Sequence, residues 1–292
     1  MSMSLNRRGF LKTGAAFAAA GAMPGTTGKA EAALQSDLKL GLVTYNLAKQ
    51  WDVPTIINNC TETNYEGVEL RSTHAHGVEP DISAAKRKEV KQRFNDSPVT
   101  LVSLGSACEY HKEPADVKKN IEDTKAFIRL AADLGAEAVK VRPNGCEMEG
   151  DQFHDPTLVQ IGEALAECGE YGAERNVDIR VEVHGRNTQR APAMERIMNV
   201  ANHSHVNVCW NCNPTDHLED GGFDANFDRL KYRIHFVHLK ELSDPQYPYR
   251  RFFRRLKQVG YNGYCCMEVG KGSEDPIRFM EYYRELFYAL QT

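Results

Sequence analysis

The stretch Asp178-Ile179-Arg180-Val181-Glu182-Val183-His184-Gly185 alternates strictly between polar and apolar side chains. A β-strand turns successive side chains to opposite faces, so Ile179, Val181 and Val183 share one face while Arg180, Glu182 and His184 share the other. The aliphatic face suits packing against helices. The other face carries a cation, a carboxylate and an imidazole, and the fold has to provide a common place for such groups to meet.

Outward from this run, short β-branched or apolar segments recur at 39–45, 67–71, 100–105, 138–142, 207–211, 235–240 and 263–269, which with 178–184 makes eight candidate strands. They are spaced at roughly thirty- to forty-residue intervals, the length of a strand–loop–helix–loop unit. The intervening segments have helical period. After Asp116, apolar residues fall at Val117, Ile121, Ala126, Phe127, Leu130 and Leu134, and the run stops at Gly135. Leu158, Ile161, Leu165 and Cys168 share one face of the next helix, and residues 254–259 stop at Gly260 just before the last strand. Eight such units predict a closed (β/α)8 TIM barrel in the α/β class, forming one domain over residues 33–292. An open doubly wound sheet is the alternative, but no GxGxxG follows the first strand.

Composition narrows the function classes. The 292 residues carry 36 Lys+Arg against 40 Asp+Glu, so the basic surface that phosphate-backbone binding requires is missing and nucleic acid is excluded as a partner. No apolar run after the N-terminus reaches bilayer length, which predicts a mature chain without a membrane span. At the N-terminus, Asn6-Arg7-Arg8-Gly9-Phe10-Leu11-Lys12 precedes an Ala/Gly-rich stretch and Ala30-Glu31-Ala32. Paired arginines, a mild apolar region and an Ala-x-Ala site resemble a twin-arginine signal peptide over residues 1–32. That resemblance implies a partner in the Tat export machinery and a periplasmic or secreted destination. The eight cysteines are scattered along strands and helices and read as buried thiols; Cys209 and Cys212 have CxxC spacing without a second pair.

In a barrel of this kind the inward residues at the carboxyl ends of the strands converge on one site. Here those positions hold Glu69, with His74 and His76 just beyond it; Lys140 and Arg142; Glu182 and His184; Asn211; His238 and Lys240; and Glu268. Two carboxylates, an imidazole and an amide oxygen on adjacent strands form an oxygen-rich donor set for a divalent ion. Such an ion would also offset the cost of burying the carboxylates. The alternative is that Lys140, Arg142, Arg180 and Lys240 neutralise them as ion pairs.

The sequence Gly67-Val68-Glu69-Leu70, then Val181-Glu182-Val183-His184-Gly185, then Phe236-Val237-His238-Leu239-Lys240-Glu241, then Met267-Glu268-Val269 is similar to the sugar phosphate isomerase/epimerase family, the xylose-isomerase-like barrels. The resemblance spans the whole mature chain. It implies one divalent metal ion (Mn, Mg, Co or Zn) held by Glu182, Asn211, His238 and Glu268. Asn211 stands where the family usually has Asp, with Asp216 and His217 in the following loop as substitutes, and Gly185-Arg186-Asn187-Thr188 lacks the second Glu of the ketose 3-epimerases.

The implied reaction is proton abstraction beside a carbonyl through an enediolate, with Glu182 and Glu268 catalytic. Glu69, His76, Lys140, Arg142, His184 and Lys240 would bind the substrate, a small sugar or glycoside. The same chemistry could drive β-elimination from an oxidised (3-keto) glycoside, and a barrel without activity could serve as a periplasmic sugar-binding module. A related barrel family that cleaves DNA at abasic sites is set aside, because its Asp-x-x-His and Asp-x-His pairs are missing from the sixth and seventh strands. The sequence leaves the oligomeric state open.

Overall fold

The computed structural model describes residues 38–292, and the segment read as an export signal lies outside them. Among the described residues eight parallel strands close into a barrel. They are β1 (Lys39–Val43), β2 (Gly67–Arg71), β3 (Thr100–Glu109), β4 (Ala138–Arg142), β5 (Asp178–Glu182), β6 (Val206–Trp210), β7 (Ile234–Leu239) and β8 (Tyr264–Met267). Each strand pairs with its neighbours in chain order, and β8 closes on β1 with Leu40 opposite Cys265 and Leu42 opposite Met267. The predicted (β/α)8 fold is the observed one.

Helices follow the strands: α1 (Val53–Glu62), α2 (Ala84–Asn95), α3 (Pro114–Leu134), α4 (Asp155–Ala173), α5 (Ala191–Ala201), the short α6 (Thr215–Leu218), α7 (Phe223–Leu230), α8 (Tyr249–Gln258) and α9 (Pro276–Ala289). Proline lies in the first turn of α1, α3, α4, α5 and α9, where its missing N–H deprives the helix of nothing. α3 ends at Gly135, whose φ of 80° lets the Ala136 N–H return to the Ala131 carbonyl at 2.9 Å. Val117, Ile121, Ile128, Ala131 and Leu134 form its buried face. Leu158, Ile161, Leu165 and Cys168 do the same for α4. No helix among the described residues is long and apolar enough to cross a membrane.

Two cores result. The larger lies between the strands and the helices. The smaller fills the barrel itself with Val43, Val102, Cys209, Phe236, Tyr264 and Cys266. Arg180 closes this inner core from the amino-terminal side. Its guanidinium stacks 4.7 Å over the Phe236 ring and donates to Glu137 at 3.0 Å and to the Val102 carbonyl at 3.3 Å. With that end plugged, the inward polar residues of the next layer are directed to the carboxyl end. All eight cysteines are unpaired and buried.

Several strands stop earlier than their alternation suggests. β5 ends at Glu182, β6 at Trp210, β7 at Leu239 and β8 at Met267, so His184, Asn211, Lys240 and Glu268 stand just beyond the regular ladder. At this rim only single rungs continue, such as Val183 N–H to Cys209 O at 3.0 Å and Glu268 N–H to Leu239 O at 2.8 Å. The sequence pattern runs past the strand ends because the rim residues keep the inward direction after regular pairing has ceased.

Close strand approach depends on Gly41. A Cβ there would meet the Cys266 sulfur at 2.5 Å and the Gly67 carbonyl oxygen at 2.9 Å, and the second of these is backbone that cannot rotate away. Gly41→Ala should therefore destabilise the barrel by about 1–3 kcal/mol, read as a fall in the urea midpoint with an unchanged m-value.

Candidate active site

The inward-facing residues of β2, β4, β5, β7 and β8 place Glu69, Lys140, Glu182, His238 and Glu268 in one buried group. Glu182, His238 and Glu268 each offer a ligand atom within 4.8 Å of the others. The His238 Nδ1 lies 3.7 Å from Glu182 Oε1 and 3.5 Å from Glu268 Oε2, and its Nε2 lies 3.2 Å from Glu69 Oε1. None of these approaches has hydrogen-bond geometry, and both His238 nitrogens are buried without a partner. Two lysines complete the group: Lys140 donates to Glu182 Oε2 at 2.8 Å and Lys240 donates to Glu268 Oε2.

The basic partners anticipated as an alternative to a metal are therefore present. Each engages one oxygen of a carboxylate that also borders His238. Burial pushes the Glu182 carboxyl up, but Lys140, His238 and Lys240 outweigh it and hold the group well below the usual range. The same contest brings Glu268 down to about 2, through His238 and Lys240. Burial disfavours the His238 imidazolium, whereas Cys209, Glu268 and Glu69 favour it, and the net direction is upward. Burial itself keeps the Cys209 thiol protonated, so the carboxylates carry that effect. Lys140 and Lys240 thus answer Glu182 and Glu268, and His238 stands between these two and Glu69.

The donor chemistry fits a divalent ion. Two carboxylates and an imidazole converge, the imidazole nitrogens lack partners, and the buried Oδ1 of Asn211 also has none while its Nδ2 donates to Asn213 at 3.2 Å. The loop residue Asp216 is committed elsewhere. Its Oδ2 accepts from the Asn213 N–H at 2.9 Å and the Tyr247 hydroxyl at 2.7 Å, and Tyr247 in turn accepts from Trp210 Nε1 at 2.9 Å.

The remaining residues singled out in the sequence fall into two groups. At the mouth, Lys240 is about one-third exposed, Arg142 donates to the Ala107 carbonyl at 3.2 Å, and the His184 ring feels the charges of Glu182, Arg142, Lys140 and Lys240. The geometry redirects two others. Glu69 is fully buried, with Oε1 3.2 Å from His238 Nε2. His76 has both ring nitrogens occupied, by the Arg71 carbonyl at 2.7 Å and the Val78 N–H at 3.0 Å, and burial brings its pKa down to about 4. It fastens its own loop. Sequence reasoning missed Tyr247, Asn144 and Glu109, which act through hydrogen bonds between loops and leave no periodic trace.

A cavity of about 450 Å³ opens at the opposite, amino-terminal end, lined by residues that include Lys39, Asp178, Arg180 and Tyr264. There Arg180 is paired with Glu137 and Asp178 Oδ1 lies 2.9 Å from His205 Nδ1, whereas Glu182, His238 and Glu268 converge at the carboxyl end.

Residues 57–285 match the family described as Xylose isomerase-like TIM barrel. A search of curated protein sequences finds no match. Among solved structures the chain is similar to the 3-keto-D-glucoside 4-epimerase YcjR from E. coli, with 13% identity over 87% of this chain and 99% of that one and a TM-score of 0.69. It is also similar to D-allulose 3-epimerase from Methylomonas sp., with 15% identity over 87% and 98% and a TM-score of 0.69. The IolI protein solved with a binding zinc atom gives 13% identity over 87% and 96% and a TM-score of 0.68. At these identities the likeness is one of fold.

Asp216 supplies a stability test. Burial raises its carboxyl from 3.8 to about 7 despite the Tyr247 and Asn213 hydrogen bonds. The folded chain then holds a proton that the unfolded chain releases, so stability falls as pH climbs from about 4 to about 7 and is flat above. Asp216→Asn keeps an oxygen able to accept both hydrogen bonds. It should remove that slope and stabilise the protein at pH 8 by a few kcal/mol, on the order of the shift it abolishes, as measured by urea denaturation across the pH range.

Proposed function

This chain belongs to the xylose isomerase-like TIM barrel family, and on that premise we propose that it is a sugar isomerase or epimerase that moves a proton beside a substrate carbonyl. The observation that carries the reading is the meeting of Glu182, His238 and Glu268 within 4.8 Å at the carboxyl end of a closed barrel. A divalent ion held by Glu182, His238, Glu268 and the amide oxygen of Asn211 would supply Lewis-acid polarisation of that carbonyl.

The chain's own groups have the following parts. Glu182, kept ionised by Lys140, removes the proton on the carbon next to the carbonyl. Glu182 then holds the abstracted proton: its return to the neighbouring carbon gives an isomer, whereas a proton passed from the Lys240 ammonium through Glu268 to the opposite face of the same carbon gives an epimer, with Glu182 losing its proton to solvent. Lys140 is buried and acts through Glu182, while Lys240, Arg142 and His184 border the mouth and hold substrate hydroxyls. The paired arginines of the Asn6–Lys12 segment support export by the twin-arginine route. Outside the cytoplasm free sugars and glycosides outnumber sugar phosphates, which favours an unphosphorylated substrate.

The test is solvent deuterium exchange into candidate ketoses and 3-keto-glycosides by the purified protein. Exchange is expected at the carbon beside the carbonyl, and Glu182→Gln or Glu268→Gln should each lower its rate by about 10²- to 10⁴-fold. Release of an aglycone would mark a lyase instead, and sugar binding without any exchange would mark a binding module. Metal uptake supplies a further expectation. An imidazole must be neutral to ligate, and the carboxylates hold His238 protonated, so loading should release a proton and weaken as pH falls. Calorimetric titration with Mn or Zn in buffers of different ionisation enthalpy reads that proton directly.

A further inference from the structure

We propose that Glu109 and Asn144 are positioning residues that lock His184 in its Nδ1–H tautomer, so that Nε2 presents a neutral hydrogen-bond acceptor to a substrate hydroxyl. The tautomer follows from hydrogen-bond polarity alone. Its consequence for substrate rests on the sugar-converting reading above.

Glu109 ends β3 and pairs with Lys112 at 2.5 Å. Burial raises its carboxyl, but the bonds from Lys112 and Asn144 outweigh that and keep it below its ordinary value. An ionised carboxylate only accepts, so the Asn144 amide must turn its NH2 toward Glu109, as it does. The amide oxygen is then left for His184, whose Nδ1 lies 2.9 Å from it. A carbonyl oxygen also only accepts, so Nδ1 must carry the hydrogen. A neutral imidazole has one ring proton, and the lone pair is therefore on Nε2. Reversing the amide would set oxygen against carboxylate, which removes the usual ambiguity in its orientation.

The backbone is built for this contact. Asn144 adopts φ 70°, a left-handed conformation that asparagine tolerates, and pairs in parallel with Gly185 while Gly145 pairs with Arg186. Gly185 has φ 95°, and a Cβ there would lie 2.5 Å from the Asn144 Cα. Only glycine allows the two loops to touch. The Thr188 hydroxyl then fixes the His184 carbonyl at 2.7 Å, and Asn187 Nδ2 reaches the Cys146 carbonyl at 2.8 Å.

Lys240 and Arg142, which also border the mouth, can only donate hydrogen bonds. An uncharged acceptor in the field of these cations takes an O–H group, whereas a phosphoryl oxygen would find no donor at Nε2. The subsite therefore takes a free hydroxyl of a sugar and excludes a phosphate at that position.

The tautomer is read by long-range ¹H–¹⁵N correlation on histidine-labelled protein at pH 8, with His184 assigned by its loss in His184→Gln. The wild type should show a protonated Nδ1 and an unprotonated Nε2. Asn144→Gly, which tolerates the left-handed backbone and removes the amide, should shift the ring toward Nε2–H. With an active substrate, Asn144→Gly should raise KM about tenfold, the worth of one hydrogen bond, with kcat little changed. A wild-type ring protonated at Nε2 overturns the lock, and that spectrum decides the matter even if no variant folds. A correct tautomer in a protein that exchanges deuterium into no sugar overturns the sugar-converting reading and leaves the lock standing. A phosphorylated substrate preferred over its free counterpart overturns the hydroxyl subsite.

Discussion

Glu182, Glu268, Lys140, Lys240 and His238 can share one buried site only because the carboxylates and the basic groups answer one another. Lys140 lies against Glu182 at 2.8 Å, and His238 stands between Glu69, Glu182 and Glu268. Isolated burial of any one of them would cost several kcal/mol. The eight strands bring these groups together, and the mutual compensation lets the strands close around them. The apolar plug of Phe236, Tyr264 and Cys266 beneath, with Arg180 stacked on Phe236, confines the charge to one end.

Much of this was legible in the chain itself. The alternation in residues 178–184 put Glu182 and His184 on one face, and the same rule found Lys140, His238 and Glu268 on other strands. Side-chain direction in a strand is a local property, and closure of the barrel converts eight local directions into one meeting point. Less legible was what a residue does once it arrives. Glu69 and His76 carry site-like side chains in site-like places, yet one is buried against His238 and the other is held by backbone groups at both nitrogens. Burial depth and hydrogen-bond partners are set by neighbours far away in sequence.

Loop-borne contacts were the least legible part. Glu109, Asn144 and His184 are separated by 35 and 40 residues and share no period. Their signal was local: an Asn-Gly pair after β4 and a glycine after His184, both marks of backbone outside the ordinary strand range. Tyr247, between Trp210 and Asp216, similarly comes from a loop after β7. The loop after β6 therefore takes its shape from groups on either side of the rim.

If the chain is exported as proposed, its eight buried thiols bear on how it would enter an oxidising environment. In the folded barrel they are buried, and burial pushes Cys60 and Cys168 up to about 12, which suppresses the reactive thiolate. An unfolded chain has no such shielding. Cys209 and Cys212 would be near enough in sequence to join wrongly, as would the adjacent Cys265 and Cys266, and any such crosslink would bar the strands from their places. A chain of this composition is protected from oxidative scrambling once it has folded in a reducing compartment, and translocation as a finished body would preserve that protection.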